Sequence, residues 1–353
     1  MNLVLNLTEQ CNLRCSYCYY NESQAARFYS MTPDILERAI AFGFHYAMEL
    51  GQQFLNITFF GGEPLLKKSL ILQGIELAKQ YKPENMRLQF AVNTNGTLLN
   101  AFWLDLFKRE NFYIYLSLDG PAEIHNQQRY TLRHKGSFPL IEPYLKTLSQ
   151  LNTTILRIIT HKHIHGLSDS LKWMAQQGFN KISTAVDFNG QWTPENFAEL
   201  HREYAQIADY WVALKKQNSP IYLGTIQDKI RLEAEGSSYK KITCSILQNI
   251  VAVSAQGGLF PCTRFVSSQP DALYQIGDVF TGIDNSKTGE IQAFLNSDKA
   301  SCQDCELKRR CVGNECGCIT FSTTQTLSQV SPEVCTHERM LAAICDAAAL
   351  QLL

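Results

Sequence analysis

Hydrophobic and polar positions follow two regimes along this chain. Over the first two-thirds, short apolar runs alternate with longer stretches whose apolar positions recur at helical spacing. Val4–Leu7, Phe54–Phe60, Arg87–Val92, Phe112–Leu118, Thr154–Ile159 and Lys181–Val186 read as strands. Helices are predicted from Pro33 to about Leu50, over Lys67–Gln80, Leu98–Lys108, Pro139–Gln150 and Leu167–Gln177, and from Pro194 to about Lys216. Thr32-Pro33 and Thr193-Pro194 each set a capping side chain before a proline at the first helical position. Six strand–helix units in series predict an α/β fold with a parallel sheet and helices outside. Right-handed crossovers curl such a sheet into a partial (β/α)6 TIM-like barrel. Chemistry in that architecture sits at the C-terminal strand ends and in the loops that follow them.

The last third has shorter elements. A polar, helix-like stretch near Gln227–Lys241 reads as a bridge. Asn249–Ser254 and Leu259–Pro261 flank Ala255-Gln256-Gly257-Gly258, the pattern of a β-hairpin. Beyond Gln256 the chain is rich in Gly, Ser, Asn and Cys, and a small cysteine-rich module of this kind relies on metal to fold. The expected organisation is a body over 1–220, a bridging segment over 221–243, a cysteine-rich domain over 244–340 and a closing helix over 341–353.

Composition narrows the function classes. The 353 residues are 45% hydrophobic and 18% charged, enough to bury a sizeable core. A formal net charge of −1, with dispersed acids and bases, lacks the footprint of a nucleic-acid or membrane-surface partner. The N-terminal MNLVLNLTEQCNL has no basic region and too short an apolar run for a signal peptide, and no window reaches a membrane span. A cytoplasmic location is expected. In that reducing compartment the 12 cysteines argue for metal ligation or redox chemistry over disulfides. Three fall within residues 11–18 and the other nine between Cys244 and Cys345.

The first group is Cys11-x3-Cys15-x2-Cys18. Three thiolates on one loop can hold three irons of a 4Fe-4S cluster, leaving one iron open. Spacing alone leaves a zinc site or inert thiols equally open, although structural zinc takes four closed ligands. Cys11-x3-Cys15-x-Tyr17-Cys18 after the first strand resembles the signature of the radical S-adenosylmethionine (SAM) superfamily. Gly61-Gly62-Glu63-Pro64 after the second strand, Asn93-Thr94-Asn95-Gly96 after the third and Ser117-Leu118-Asp119-Gly120-Pro121 after the fourth are similar to its further motifs. The resemblance covers residues 1 to about 220. It implies that SAM chelates the open iron. It also implies that the backbone of Gly61, Gly62, Glu63 and Pro64 binds the SAM amino group, and that Tyr17 lies near the adenine. Ser117 and Asn95 then contact ribose or carboxylate, and Arg129 binds the carboxylate as a charge-assisted pair. Asp119 reads equally as a turn former or a SAM contact.

The second group is Cys244-x12-Gly257-x4-Cys262, then Cys302-x2-Cys305-x5-Cys311-x4-Cys316, Cys318 and Cys335. It resembles the SPASM domain, the auxiliary-cluster module of peptide- and protein-modifying radical SAM enzymes. The eight thiols suffice for two further 4Fe-4S clusters. By resemblance, Cys302, Cys305, Cys311 and Cys335 hold an outer cluster, and Cys244 and Cys262 with Cys316, Cys318 or both hold an inner one. The family spacing has three residues before its fourth central cysteine where this chain has four, so the role falls to either Cys316 or Cys318. A zinc-ribbon-like module is the plainer alternative. Cys345 sits in an apolar helical pattern and reads as a buried, inert thiol. His161, His163 and His165 after the fifth strand read as a solvated loop in preference to a place in the pocket, and Asp187-Phe188-Asn189-Gly190 after the sixth reads equally as a plain turn or as a contact to substrate or SAM.

The resemblance implies an oxidoreductase that cleaves SAM to a 5′-deoxyadenosyl radical and modifies a peptide or protein. Maturation of a ribosomally made peptide, by a thioether or carbon–carbon crosslink or related oxidation, is the leading expectation. An anaerobic sulfatase maturase making formylglycine is the alternative. Such maturases resemble one another in an aspartate directly after the cysteine of the Gly-x4-Cys segment, where this chain has Thr263. The first strand begins too early for a leader-recognition domain ahead of it, so a separate recognition protein or direct binding is expected. An external one-electron reductant such as flavodoxin or ferredoxin is implied. A non-enzymatic iron–sulfur carrier or zinc interaction module is the reading from another class.

Overall fold

A computed structural model describes residues 1–18, 28–235, 246–266, 274–296 and 298–352. Cys244 lies outside these residues. The chain divides into two compact units that interleave in sequence.

The first unit takes its residues from 1–117, 126–153 and 245–290. It contains β1 (Asn2–Asn6), β2 (Phe54–Phe60), β3 (Arg87–Thr94) and β4 (Tyr113–Ser117), all parallel. Leu3, Val4 and Leu5 are all buried, so β1 is apolar on both faces, as a central parallel strand must be. Phe59, Phe90 and Phe112 stack at centroid separations of 5.6–6.2 Å beneath the outer helices. The expected hairpin is present, but it does not stand apart. Its strand β8 (Ile250–Val253) pairs in parallel with β1, and Asn6 Nδ2 donates to the Val253 carbonyl at 3.0 Å. Antiparallel β9 (Gly258–Phe260), β10 (Gly277–Asp278) and β11 (Gly282–Ile283) extend that edge.

The second unit takes its residues from 118–125, 154–244 and 291–353. Strands β5 (Thr153–Ile159), β6 (Lys181–Val186) and β7 (Tyr222–Leu223) are parallel, with the long helix Pro194–Lys216 following β6. That helix begins with a full capping box between Thr193 and Asn196, so its start is set locally. The polar stretch expected as a bridge begins as the helix Gly224–Glu235, which packs on the helix Pro332–Leu350. Cys335 and Cys345 therefore share one helix.

One helix differs from expectation. The stretch predicted over Pro139–Gln150 is broken into Phe138–Ile141, a 3-10 turn over Glu142–Tyr144, and Leu145–Ser149. Pro143 lies in its middle; its ring lacks an N–H and crowds the preceding turn. No helix among the described residues is long and apolar enough to cross a membrane.

Candidate functional site

The loop after β1 carries the cysteine triplet. Cys15 is buried, while Cys11 and Cys18 are half-buried. The loop is held by its neighbours in space. The N–H groups of Gly62 and Glu63 donate to the carbonyls of Thr8 and Gln10 at 2.7 and 2.9 Å. Gly61 has φ +134°, and a Cβ there would overlap the Thr8 carbonyl oxygen; a Cβ on Gly62 would overlap that of Gln10. The two glycines are therefore required by the close approach of the cysteine loop itself. The N–H groups of Gly62 and Glu63 are thereby committed to Thr8 and Gln10, and a carbonyl oxygen of this turn suits an ammonium donor.

Glu63 is fully buried. Its carboxylate accepts from Leu65 N at 3.0 Å, Thr94 Oγ1 at 2.8 Å and Asn95 N at 2.8 Å. Burial pushes its pKa up to about 7, while these donors and the charge of Arg129 pull the other way. Pro64 opens the 3-10 turn Pro64–Lys67 that Glu63 caps. Asn95 donates through Nδ2 to Asn12 Oδ1 at 3.0 Å and to Cys11 Sγ at 3.7 Å, and its Oδ1 accepts from Thr97. Its side-chain amide is thus turned toward the cysteine loop.

Arg129 is buried and closes the other side. Nη1 donates to Cys15 Sγ at 3.9 Å, and the guanidinium carbon lies 5.2 Å from the Tyr17 ring centroid. Ser137 holds its backbone carbonyl through both N and Oγ. Burial, together with the charges of Glu63, Cys15 and Cys18, pushes the Cys11 thiol up to about 12. The structure thus gathers Cys11, Cys15, Cys18, Tyr17, Gly61, Gly62, Glu63, Asn95 and Arg129 in one place. Ser117 ends β4, half-exposed.

In the second unit, Cys302, Cys311 and Cys318 are buried, and Cys305, Cys316 and Cys335 are half-buried. Burial raises the Cys335 thiol, and charge on Cys302 and on Cys305 raises it further, which places Cys335 with that pair. Cys311 is bracketed: Lys229 Nζ donates to the Arg310 carbonyl at 2.5 Å, and the Val312 N–H donates to Glu338 at 2.7 Å. Lys229 and Glu338 pair with each other at 2.7 Å. Glu338 also meets His337, whose Nε2 faces the Tyr204 hydroxyl at 2.9 Å. In the first unit, Cys262 precedes the 3-10 turn Thr263–Phe265, with Thr263 Oγ1 at 3.8 Å from its sulfur. Cys345 is fully buried, and its thiol faces the Ile226 carbonyl.

None of the eleven described cysteines is in a disulfide. Among the described residues no three His, Cys, Asp or Glu side chains converge on one metal-ion position. His165 is exposed beside Glu199; His163 is held below the ordinary imidazole range by burial, against the charge of Asp119. His161 packs against Trp192 in the loop after β6.

Residues 5–162 match the model of the Radical SAM superfamily. The chain is 24% identical over 319 residues to a cysteine-type anaerobic sulfatase-maturating enzyme from Clostridium novyi, spanning 86% of this chain and 84% of that one. It has the fold of anSMEcpe solved with bound AdoMet, at a TM-score of 0.82, 18% identity and coverage of 99% and 98%. Residues 5–162 are thus a radical SAM domain. Its sheet is that of the partial barrel. A radical SAM cyclopropyl synthase, TigE, from Paramaledivibacter caminithermalis is 23% identical over 337 residues, covering 89% of this chain and 67% of the relative. The chain is therefore a radical SAM enzyme, related to sulfatase maturases and to a cyclopropyl synthase.

Sequence reasoning missed Thr8, Gln10, Asn12 and Thr94, which tie the motif loops together, and Lys229, Glu338 and Lys299 around the second thiol set. Short polar residues beside the motifs were a usable signal for the first group. The second had none, because its members lie far apart in sequence.

Proposed function

We propose that this radical SAM enzyme modifies a peptide or protein, with ribosomal peptide maturation as the reaction class. A 4Fe-4S cluster and SAM, when bound, supply one-electron cleavage of SAM to a 5′-deoxyadenosyl radical able to remove hydrogen from an unactivated carbon. The observation that carries this reading is the meeting of Cys11, Cys15 and Cys18 with Asn95, Arg129 and the Gly61-Gly62 turn. Soft thiolates suit iron, turn carbonyls suit an ammonium, and a buried guanidinium suits a carboxylate. In this reading Arg129 holds the SAM carboxylate, Tyr17 flanks the adenine, Ser117 reaches the ribose, and Asn95 donates toward the Cys11 sulfur. Glu63 keeps the loops in register through the donors that engage its oxygens. Cys302, Cys305, Cys311 and Cys335, and Cys262 with Cys244 and Cys316, Cys318 or both, hold auxiliary clusters. An external reductant supplies the electron.

Sulfatase maturation is the second reading, favoured by the sulfatase-maturating relatives. Against it stands Thr263, which puts a hydroxyl beside Cys262 where a carboxylate is expected of that activity.

The test is anaerobic reconstitution with dithionite, SAM and either a candidate peptide or a sulfatase-derived peptide. Release of 5′-deoxyadenosine that disappears in Cys15→Ala supports the reading; an iron-loaded protein that releases none overturns it. Arg129→Met should raise KM for SAM more than it lowers iron content. Mass spectrometry separates the two reactions: a crosslink removes hydrogen alone, whereas formylglycine carries an aldehyde that a hydrazide captures.

A further inference from the structure

Lys299 is 5% exposed, unusual for a lysine. Its Nζ donates to the Asn314 carbonyl at 2.7 Å and lies 4.5 Å from the Phe294 ring centroid. Its backbone is tied in as well: the Cys302 N–H donates to its carbonyl at 2.8 Å, and its own N–H reaches Asn314 Oδ1 at 3.4 Å. The Asn314 N–H in turn donates to the Cys311 carbonyl at 3.0 Å. The ammonium is thereby pinned between the Cys302 turn and the Cys311 turn, with Cys316 two residues beyond Asn314.

Among the described residues, no carboxylate forms an ion pair with Lys299. A buried ammonium without a counter-charge is strongly unfavourable. Burial lowers its pKa, and the groups that oppose this are Cys302, Cys311 and Cys316, followed by the Glu315 carboxylate. The cysteine turns that hold it are its principal candidate anionic neighbours, and a metal-bound cysteine is a thiolate.

We propose that Lys299 is the buried counter-charge of the auxiliary cluster held by Cys302 and Cys311, and that it raises the reduction potential of that cluster. The inference rests on the auxiliary-cluster reading above. A thiolate-ligated cluster becomes more negative on reduction, so a fixed positive charge beside it favours the reduced state. Lys299 prepares the cluster to accept an electron, and it acts through the ligand set without touching substrate.

The experiment uses full-length protein carrying Cys11→Ala, Cys15→Ala and Cys18→Ala, so that only auxiliary clusters remain. Iron and sulfide are counted, and the clusters are titrated electrochemically with detection by electron paramagnetic resonance. Lys299→Gln keeps an N–H donor for Asn314 but removes the charge; Lys299→Arg keeps the charge. The expected result is a roughly tenfold fall in the reduced-to-oxidised ratio at a given potential for Lys299→Gln, about 59 mV for one electron, with Lys299→Arg close to the parent. Loss of iron in Lys299→Gln alone, with the circular dichroism unchanged, equally supports the counter-charge. An unchanged midpoint in a fully loaded Lys299→Gln overturns it, as does equal iron loss in both variants. If the parent binds no iron at all, the auxiliary-cluster reading fails instead.

Discussion

The carboxylate of Glu63 accepts the backbone N–H of Asn95 at 2.8 Å, so one fully buried side chain fastens the turn after β2 to the turn after β3. Asn95 passes the constraint on through Asn12 and the Cys11 sulfur. The cysteine loop is shaped by a clamp assembled from two other loops.

Replacing Glu63 by Gln should weaken this clamp. The amide keeps one acceptor and turns a donor toward Leu65, Thr94 or Asn95, which leaves a buried donor unmet and costs about 1–3 kcal/mol. The pH dependence has a definite sign. The folded pKa of Glu63 is raised from 4.5 to about 7, so its contribution to stability is fully present below about pH 4.5 and falls as pH rises through about 7. Urea unfolding across that window should show wild type losing stability relative to Glu63→Gln; parallel curves would count against a titrating Glu63.

Gly62→Ala should separate iron binding from folding. The added methyl meets the Gln10 carbonyl, so the loop carrying Cys11 must move. Strain of this kind costs about 1–3 kcal/mol and falls on the N-terminal site. Iron per chain should drop by about the content of one cluster, while iron held by the Cys302–Cys335 set stays.

The Lys229–Glu338 pair should behave as a buried pair behaves when broken. Lys229→Met takes the ammonium from Glu338, leaving it only His337 and the Val312 N–H, which costs up to about 3–5 kcal/mol, and frees the Arg310 carbonyl on one side of Cys311. Burial pushes Glu338 up, but His337 and Lys229 outweigh it and hold its pKa at about 2. A depressed carboxylate stabilises the fold above about pH 4.5 and loses that contribution as pH falls toward about 2. Acid unfolding of wild type should be steeper over this window than that of Glu338→Gln.

Two cysteines on one helix should give opposite results. Cys345→Ala removes a fully buried thiol that donates toward the Ile226 carbonyl, so iron content should stay and stability fall by roughly 1 kcal/mol. Cys335→Ala should lower the iron count. Equal iron in both variants would exclude Cys335 as a ligand.

Much of the fold is legible in the order of residues. The strand β2 and the start of the Pro194 helix follow from local signals: an aromatic and β-branched run in which Leu55, Ile57 and Phe59 alternate with Asn56 and Thr58, and a threonine–proline cap. The helix broken at Pro143 shows where apolar spacing misleads, because a missing N–H outweighs it. The parallel pairing of β8 with β1 has no local signature at all, since its partners lie 248 residues apart at Asn2 and Ile250.

The sequence by itself determined which atoms are available for chemistry. Cysteine spacing supplies three soft ligands on one loop, and paired glycines allow a close approach that no other residue permits. Its strand–helix rhythm places those motifs at strand ends. Only the tertiary structure decided what surrounds them. The glycines make room for the carbonyls of Thr8 and Gln10, Glu63 binds loops together, and Lys299 places a charge between two cysteine turns. These relationships depend on distance and burial. Both arise when segments remote along the chain exclude water together, and neither is written in local spacing.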